Sequence, residues 1–453
     1  MLGEKELESG KIAPTLIKLA IPTVIAQVIN MLYNVVDRVY IGHMGEEGSL
    51  ALTGVGVSLP LILFISAFAA FVSSGSAPRL SIYMGKGDKE TSEKILGESF
   101  TLQLIISIVL TVILVLFNRP LLLLFGASDK TIGYASSYMT IYALGTIFVE
   151  MTLGLNAFIT AEGKTTVSML TVLIGALLNI ALDPLFIFVF NLGVKGAAIA
   201  TVISQAVSAL WCVFFLRSKK SQLKLDFSLM KLEKKIILPS FLLGVSTFIM
   251  QSTESLISIC FNSSLLKYGG DIAVGAMTIA SSVMQMALLP LQGIGQGAQP
   301  LTSFNYGRGN IERVKKSFKT LLAISFSYTF VVWIFIMATP SFFASVFASN
   351  KSLIEYSSKV LRIYCFSLFL MSIQISCQMT FVAIGVALSS VIVAVVRKIV
   401  LLIPLIYIVP LFVSDKAVGV FLAEPIADIL AVTFTIILFL NKFPKALKEK
   451  KIS

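Results

Sequence analysis

Residues 75–94 read GSAPRLSIYMGKGDKETSEK, and residues 297–316 read GAQPLTSFNYGRGNIERVKK. Aligned without a gap, they share Gly75/Gly297, Pro78/Pro300, Ser81/Ser303, Gly85/Gly307, Gly87/Gly309, Glu90/Glu312 and Lys94/Lys316, each pair 222 residues apart. Seven identities in twenty positions lie far above chance. The register continues at Gly163/Gly385, again 222 apart, and at Pro184/Pro404, 220 apart. The chain is a tandem duplication.

The duplicated unit is apolar. Of 453 residues, 56% are hydrophobic and 13% charged, whereas a soluble domain carries about 25% charged residues. Stretches of roughly 20 apolar residues, enough to cross a bilayer, recur from residue 15 to residue 441. Twelve spans are expected, at 15–41, 48–77, 95–117, 132–157, 165–191, 194–217, 236–266, 272–302, 315–340, 354–385, 386–412 and 416–441. Arg397 and Lys398 interrupt the eleventh. Six spans is an even number, so both units enter the membrane from the same side. They are parallel repeats about an axis along the membrane normal, as in rocker-type transporters. The expected fold is an all-α membrane protein of two six-helix pseudo-symmetric lobes. Residues 1–217 form the N-lobe, 218–235 (SKKSQLKLDFSLMKLEKK) a cytoplasmic linker, 236–441 the C-lobe, and 442–453 a basic cytoplasmic tail.

A net charge of +12 raises the question of a nucleic-acid partner. Its distribution argues against one, because the bases sit in short clusters between spans. Arg79, Lys86, Lys89 and Lys94 follow span two; seven bases from Arg217 to Lys235 follow span six; five from Arg308 to Lys319 follow span eight; five more occupy the tail. HMGEEG at 43–48 has none. The positive-inside rule then predicts both termini in the cytoplasm, which twelve spans satisfy. MLGEKELESGKIAPT lacks the layout of a secretory signal, so the first apolar run is expected to be retained.

Cys212, Cys260, Cys365 and Cys377 lie within or beside apolar spans with no ligand spacing, and read as packing residues. His43 is the only histidine, which excludes a histidine dyad or a histidine-cluster metal site. Nothing resembles a phosphate loop, a nucleophile elbow or a metal motif, so no enzyme and no cofactor are expected.

Carboxylates inside spans are costly, about 2.5–3.5 kcal/mol each at mid-bilayer, and therefore call for a function. Asp37 lies in span one (YNVVDRVYIG) and Asp183 in span five (LLNIALDPLFIF). Asn179, one turn before Asp183, shares its helix face. Pro184 frees a backbone carbonyl nearby. Thr201 adds a hydroxyl in span six. Such oxygen donors suit a hard cation, and clustered carboxylates suit a proton relay. Asp37 has an alternative as an ion-pair partner of Arg38.

The second half differs. Its intramembrane acids are Glu254 in span seven and Glu424 and Asp428 in span twelve, with amides from Gln251 and Gln374. Glu254 is the strongest candidate for contacting a cationic solute from that half. Glu424 precedes Pro425 and has an alternative role at a helix kink. Arg397 either snorkels to the cytoplasmic edge or neutralises one of the acids. Met250, Met277, Met284, Met286, Met371 and Met379 suggest pliable apolar walls suited to varied ligands.

The chain resembles the multidrug and toxic compound extrusion (MATE) family, bacterial type, over essentially its whole length. The resemblance rests on VDRVYIG, YMGKGD, LNIALDPLFIF, GVKGAAIATVISQ and the second-half echo NYGRGN. It implies a V-shaped pair of six-helix lobes in the bacterial inner membrane, acting as a monomer. It also implies export of organic cations driven by an inward sodium or proton gradient. Asp37, Asn179, Asp183 and Thr201 match the family's N-lobe cation site and would be the metal ligands if sodium is the coupling ion. Glu254 matches an acidic C-lobe position, and Gln251, Gln374 and Met286 complete the expected substrate-binding set. The chain departs from some members in span ten, where QISCQMTFVAIG carries Gln374 and Gln378 but no acid. That moves the expected coupling to the N-lobe. A lipid-linked saccharide flippase of the wider superfamily is the alternative, but its anionic substrate calls for a basic cavity.

Overall fold

In lipid, a backbone must satisfy its own polar groups, and a chain of long apolar runs does so as helices. The computed structural model describes residues 4–44, 48–347 and 350–452, and among these all regular structure is helical. The first half comprises α1 (Glu4–Ser9), α2 (Ile12–Gly42), α3 (Gly48–Lys86), α4 (Lys89–Leu116), α5 (Asn118–Leu124), α6 (Ile132–Leu144), α7 (Thr146–Ala161), α8 (Thr165–Pro184) and α9 (Val194–Arg217). The second comprises α10 (Lys234–Gly307), α11 (Ile311–Ala338), α12 (Pro340–Phe347), α13 (Lys351–Tyr364), α14 (Met371–Ala383), α15 (Ala387–Val395), α16 (Ile403–Ile408) and α17 (Lys416–Ile452). Gly270, with φ of 65°, breaks α10 into two spans.

Ten of these segments are long and apolar enough to cross a membrane as single helices, and two bent pairs bring the number to twelve. The pairs are α6 with α7, bent by 56°, and α13 with the residues through α14, bent by 41°. They are spans four and ten of the sequence, and both break at the same repeat position, near Gly145 and Ser367. The loop expected at 43–48 lies partly outside the described residues.

The duplication extends to single hydrogen bonds. Ser81 donates to the Ala161 carbonyl at 2.5 Å, and Ser303 donates to the Ala383 carbonyl at 2.8 Å. Both partners are again 222 residues apart. Gly87 and Gly309 turn the chain out of a helix at φ of 78° and 75°, a conformation that favours glycine. Asp88 and Asn310 then cap the next helices by accepting from the backbone N–H of Thr91 and Arg313.

The two halves close on each other where the repeat is strongest. A Cβ on Gly85 would lie 2.0 Å from the Phe304 carbonyl oxygen, and one on Gly307 would lie 1.9 Å from that of Ile82. Ile82 and Phe304 are themselves repeat mates. The seam is therefore self-complementary, with backbone against backbone. Thr23 donates to the Gly293 carbonyl at 2.6 Å, Gln27 meets Gln296 at 3.1 Å, and Arg79 reaches Ser240 at 2.8 Å. Phe64, Phe68 and Phe71 of α3 pack edge-on against Phe248 of α10, and Phe71 also lies tilted against Phe241. The N-terminal segment crosses the seam too: Leu7 and Gly10 carbonyls accept from Arg313, and Glu8 pairs with Arg308. Most of these contacts lie in the halves of their helices nearer the basic loops.

The segment between the halves is pinned, since Glu162 accepts from Ser221, Gln222 and Leu223. The basic C-terminal residues continue α17, with Phe443 and Leu447 packed beside Phe439 and Phe381.

Candidate functional site

The first site forms where α8 loses regularity. Asp183 is followed by Pro184 and then by a π-helical turn at Leu185–Val189. Such turns gather at functional sites because they re-aim side chains without ending the helix. Asp183 is fully buried, and its Oδ1 accepts from the Asn179 amide at 3.1 Å. That amide also meets the Thr201 hydroxyl at 3.4 Å, and Thr201 donates to the Ala197 carbonyl at 3.0 Å. Asp37, from α2, makes side-chain contact with Asp183. No ion pair joins Asp37 to Arg38 among the described residues. Asp37, Asn179, Asp183 and Thr201, expected together from sequence, are brought together.

Three oxygens in this cluster have no donor: Asp37 Oδ1, Asn179 Oδ1 and Asp183 Oδ2. Two facing carboxyls repel unless a proton or a cation lies between them. An all-oxygen donor set of two carboxylates, an amide and a hydroxyl fits a hard cation such as sodium.

Sequence reasoning missed two buried polar residues of this lobe, the first of them a neighbour of the cluster. Tyr138 of α6 is buried, touches the Thr201 hydroxyl and lies near Asp37. A tyrosine among apolar residues carries no signal in one sequence. Glu150 of α7 is fully buried, with no partner for either carboxyl oxygen. It was as legible as Asp183, an acid within GTIFVEMTLG.

The second half puts charges on the matching span. A π-helical segment, Val396–Leu402, carries Arg397 and Lys398. Arg397 lies 3.0 Å from Glu424 and 2.7 Å from Asp428, and Asp428 also accepts from Ser367 at 2.7 Å. Of the two roles open to Arg397, the structure selects neutralisation. Lys398, only 5% exposed, pairs with Glu254, which is 61% exposed. Glu254 is the expected solute contact, and here it already has a cation.

The remaining expected solute contacts divide. Gln251 is half-buried and Met286 is exposed. Gln374 is buried, with its carbonyl oxygen accepting from Thr435 of α17 at 2.7 Å, so it faces the lobe interior rather than an open wall. Its expected contact with solute does not match that placement. Most of the methionines also serve packing: Met277, Met284 and Met371 are buried, while the Met250 sulfur accepts from Gln378.

The family model MatE matches residues 22–185 and 246–408. The multidrug export protein MepA of Staphylococcus haemolyticus (strain JCSC1435) is 25% identical over 364 residues, covering 80% of this chain and 79% of that one. MepA of Staphylococcus aureus (strain MRSA252) is 25% identical over 366 residues, covering 80% of each. Among solved structures, MATE in the bent conformation superposes with a TM-score of 0.93 at 24% identity, covering 100% of both chains. A MOP superfamily transporter from Pyrococcus furiosus, described as having reverse polarity of its binding pocket, superposes with a TM-score of 0.91 at 25% identity, covering 99% of both.

Proposed function

The chain belongs to the MatE family, and from that premise we propose that it is a secondary antiporter that exports lipophilic organic cations against an inward sodium or proton gradient. That it is a multipass membrane transporter of the multidrug efflux type follows from the family and the MepA relatives. The coupling ion and its site are our reading.

The observation that carries the reading is the set of three donor-free oxygens on Asp37, Asn179 and Asp183. A proton would bridge the two carboxyls. A sodium ion would take the same oxygens as ligands, with Thr201 in reserve. Either removes the repulsion between Asp37 and Asp183 and lets α2 pack on α8. Without the ion the carboxylates separate, and the lobe takes a different shape. An ion that favours one shape drives the exchange between inward and outward access. Solute enters between the lobes, where acidic groups favour a cation. In the same reading the protein sits in the cytoplasmic membrane of a bacterium, as a monomer with both termini inside and no nucleic-acid partner.

Dye efflux from proteoliposomes under separately imposed sodium and proton gradients tests the proposal. Efflux driven by one gradient identifies the ion, whereas no efflux under either overturns antiport. A periplasm-active reporter fused after Ser453 should remain silent if the termini are inside. The flippase alternative needs free cations facing the pathway, but Arg397 and Lys398 are both paired with acids.

A further inference from the structure

The C-lobe holds three intramembrane carboxylates, Glu254, Glu424 and Asp428, and two cations, Arg397 and Lys398. Adjacent residues on a helix face different directions, and the π-helical segment at Val396–Leu402 spreads this pair between two helices. Arg397 points to α17 and is used up by Glu424 and Asp428, all three enclosed within the lobe. Lys398 points to α10, where it binds the Glu254 carboxylate and donates to the Met250 carbonyl at 3.3 Å.

This second pair is lopsided. Its cation is 5% exposed and its anion 61% exposed. The ammonium sits inside the wall, while the carboxylate stands outside it. Glu254 lies less than two turns beyond Phe248, where α10 leaves the aromatic contacts of the seam. Any cation arriving at Glu254 therefore meets a carboxylate that already has a counter-ion, covalently tied to the protein and present at high effective concentration.

We propose that Lys398 is the specificity-determining residue of the C-lobe, a tethered cation that a cationic solute must displace from Glu254. The inference rests on the export reading and goes beyond it, because it assigns a role to a base where that reading uses only acids. Lys398 weakens binding of every monocation by the strength of its own pair. It favours solutes that bring more than the internal ammonium does, through a second positive charge or a large apolar body. Displaced, Lys398 keeps the Met250 carbonyl as a partner. Neutral solutes do not compete for the carboxylate and are indifferent to it.

The test is equilibrium binding of tetraphenylphosphonium, and of a neutral lipophilic dye, to the purified full-length protein. Lys398→Met should tighten tetraphenylphosphonium binding about tenfold, a difference of about 1.4 kcal/mol, and leave the neutral dye unchanged. In Lys398→Met/Glu254→Gln the gain should vanish. Glu254 is largely exposed, so removing its partner does not strand a buried charge; Lys398→Gln, which can still donate to Met250, is the second variant should the first fail to fold. Unchanged or weaker tetraphenylphosphonium binding in the Lys398 variants overturns the proposal, as does equal tightening for the neutral dye. Absence of binding to wild type and variants alike also overturns it. Dye efflux by the wild type, measured alongside, shows whether the export reading fails with it.

Discussion

The two halves share one backbone plan and opposite charge chemistry. Ser81 and Ser303 make the same bond, Gly85 and Gly307 the same close approach, and spans five and eleven each carry a π-helical turn. Beside that turn the N-lobe places Asp183 against Asp37, with unshared oxygens and, among the described residues, no base in an ion pair with either. The C-lobe places Arg397 and Lys398 there, and every acid they reach is paired. Duplication conserved what holds the lobes together and let the charged interior diverge. Among the described residues the C-lobe also leaves one carboxylate oxygen without a donor, Glu424 Oε2, but on an acid that Arg397 already neutralises, whereas the donor-free oxygens of Asp37 and Asp183 have no base paired with them.

Substitutions at Asp183, at Arg397, at the seam glycines and at the helix caps break or sharpen this comparison. Asp183→Asn keeps size and polarity but removes the charge that an ion or proton would balance. It should abolish gradient-driven dye efflux in proteoliposomes while leaving expression intact. Wild-type pumping against a concentration gradient would make Asp183 structural and erase the functional difference between the lobes. Arg397→Met should act oppositely, on stability rather than coupling. It leaves Glu424 and Asp428 buried without a cation, at a cost of about 3–5 kcal/mol. Thermal unfolding in detergent should show a large loss, most of it recovered in Arg397→Met/Glu424→Gln/Asp428→Asn. If the triple variant is no more stable than the single one, the cluster is not held by charge balance.

Smaller and equal effects are expected where the halves agree. Gly85→Ala and Gly307→Ala each force a methyl group into a backbone carbonyl. Each should destabilise the closed seam by about 1–3 kcal/mol, whereas Gly56→Ala, with nothing within 4 Å, should not. Spin labels across the basic-loop end should move apart in both seam variants. A response at one glycine alone would contradict the symmetric closure. The caps come last: Asp88→Ala and Asn310→Ala should each cost about 1 kcal/mol. They should differ with pH, because only Asp88 titrates. Hydrogen bonds from the Thr91 backbone N–H and hydroxyl hold its carboxyl below the ordinary value. A depressed folded value gives stabilisation that is complete above the ordinary carboxylate range and lost as pH falls through the folded value. Melting curves at descending pH should therefore shrink the Asp88→Ala deficit and leave that of Asn310→Ala.

Periodicity, length and repetition are local properties, and the sequence alone determined what depends on them. The twelve apolar runs, the duplication with its offset of 222, and the parallel relation of the halves needed no coordinates. The cluster of Asn179 with Asp183 was readable because one helical turn separates them, and Asp37 and Thr201 were grouped with it as polar oxygen donors of the same half, a set that the family resemblance also implied. Tertiary structure decided which charges meet across helices. Arg397 had two destinations open to it in sequence, and only the packing of its span on α17 sent it to Glu424 and Asp428. Lys398 reaches Glu254 across 144 positions of chain, and Gln374 turns inward to Thr435 across 61. A charge in one segment says that a partner is needed, since an unpaired one is costly in lipid. Which partner it finds depends on how the helices pack, and no single stretch of sequence contains that.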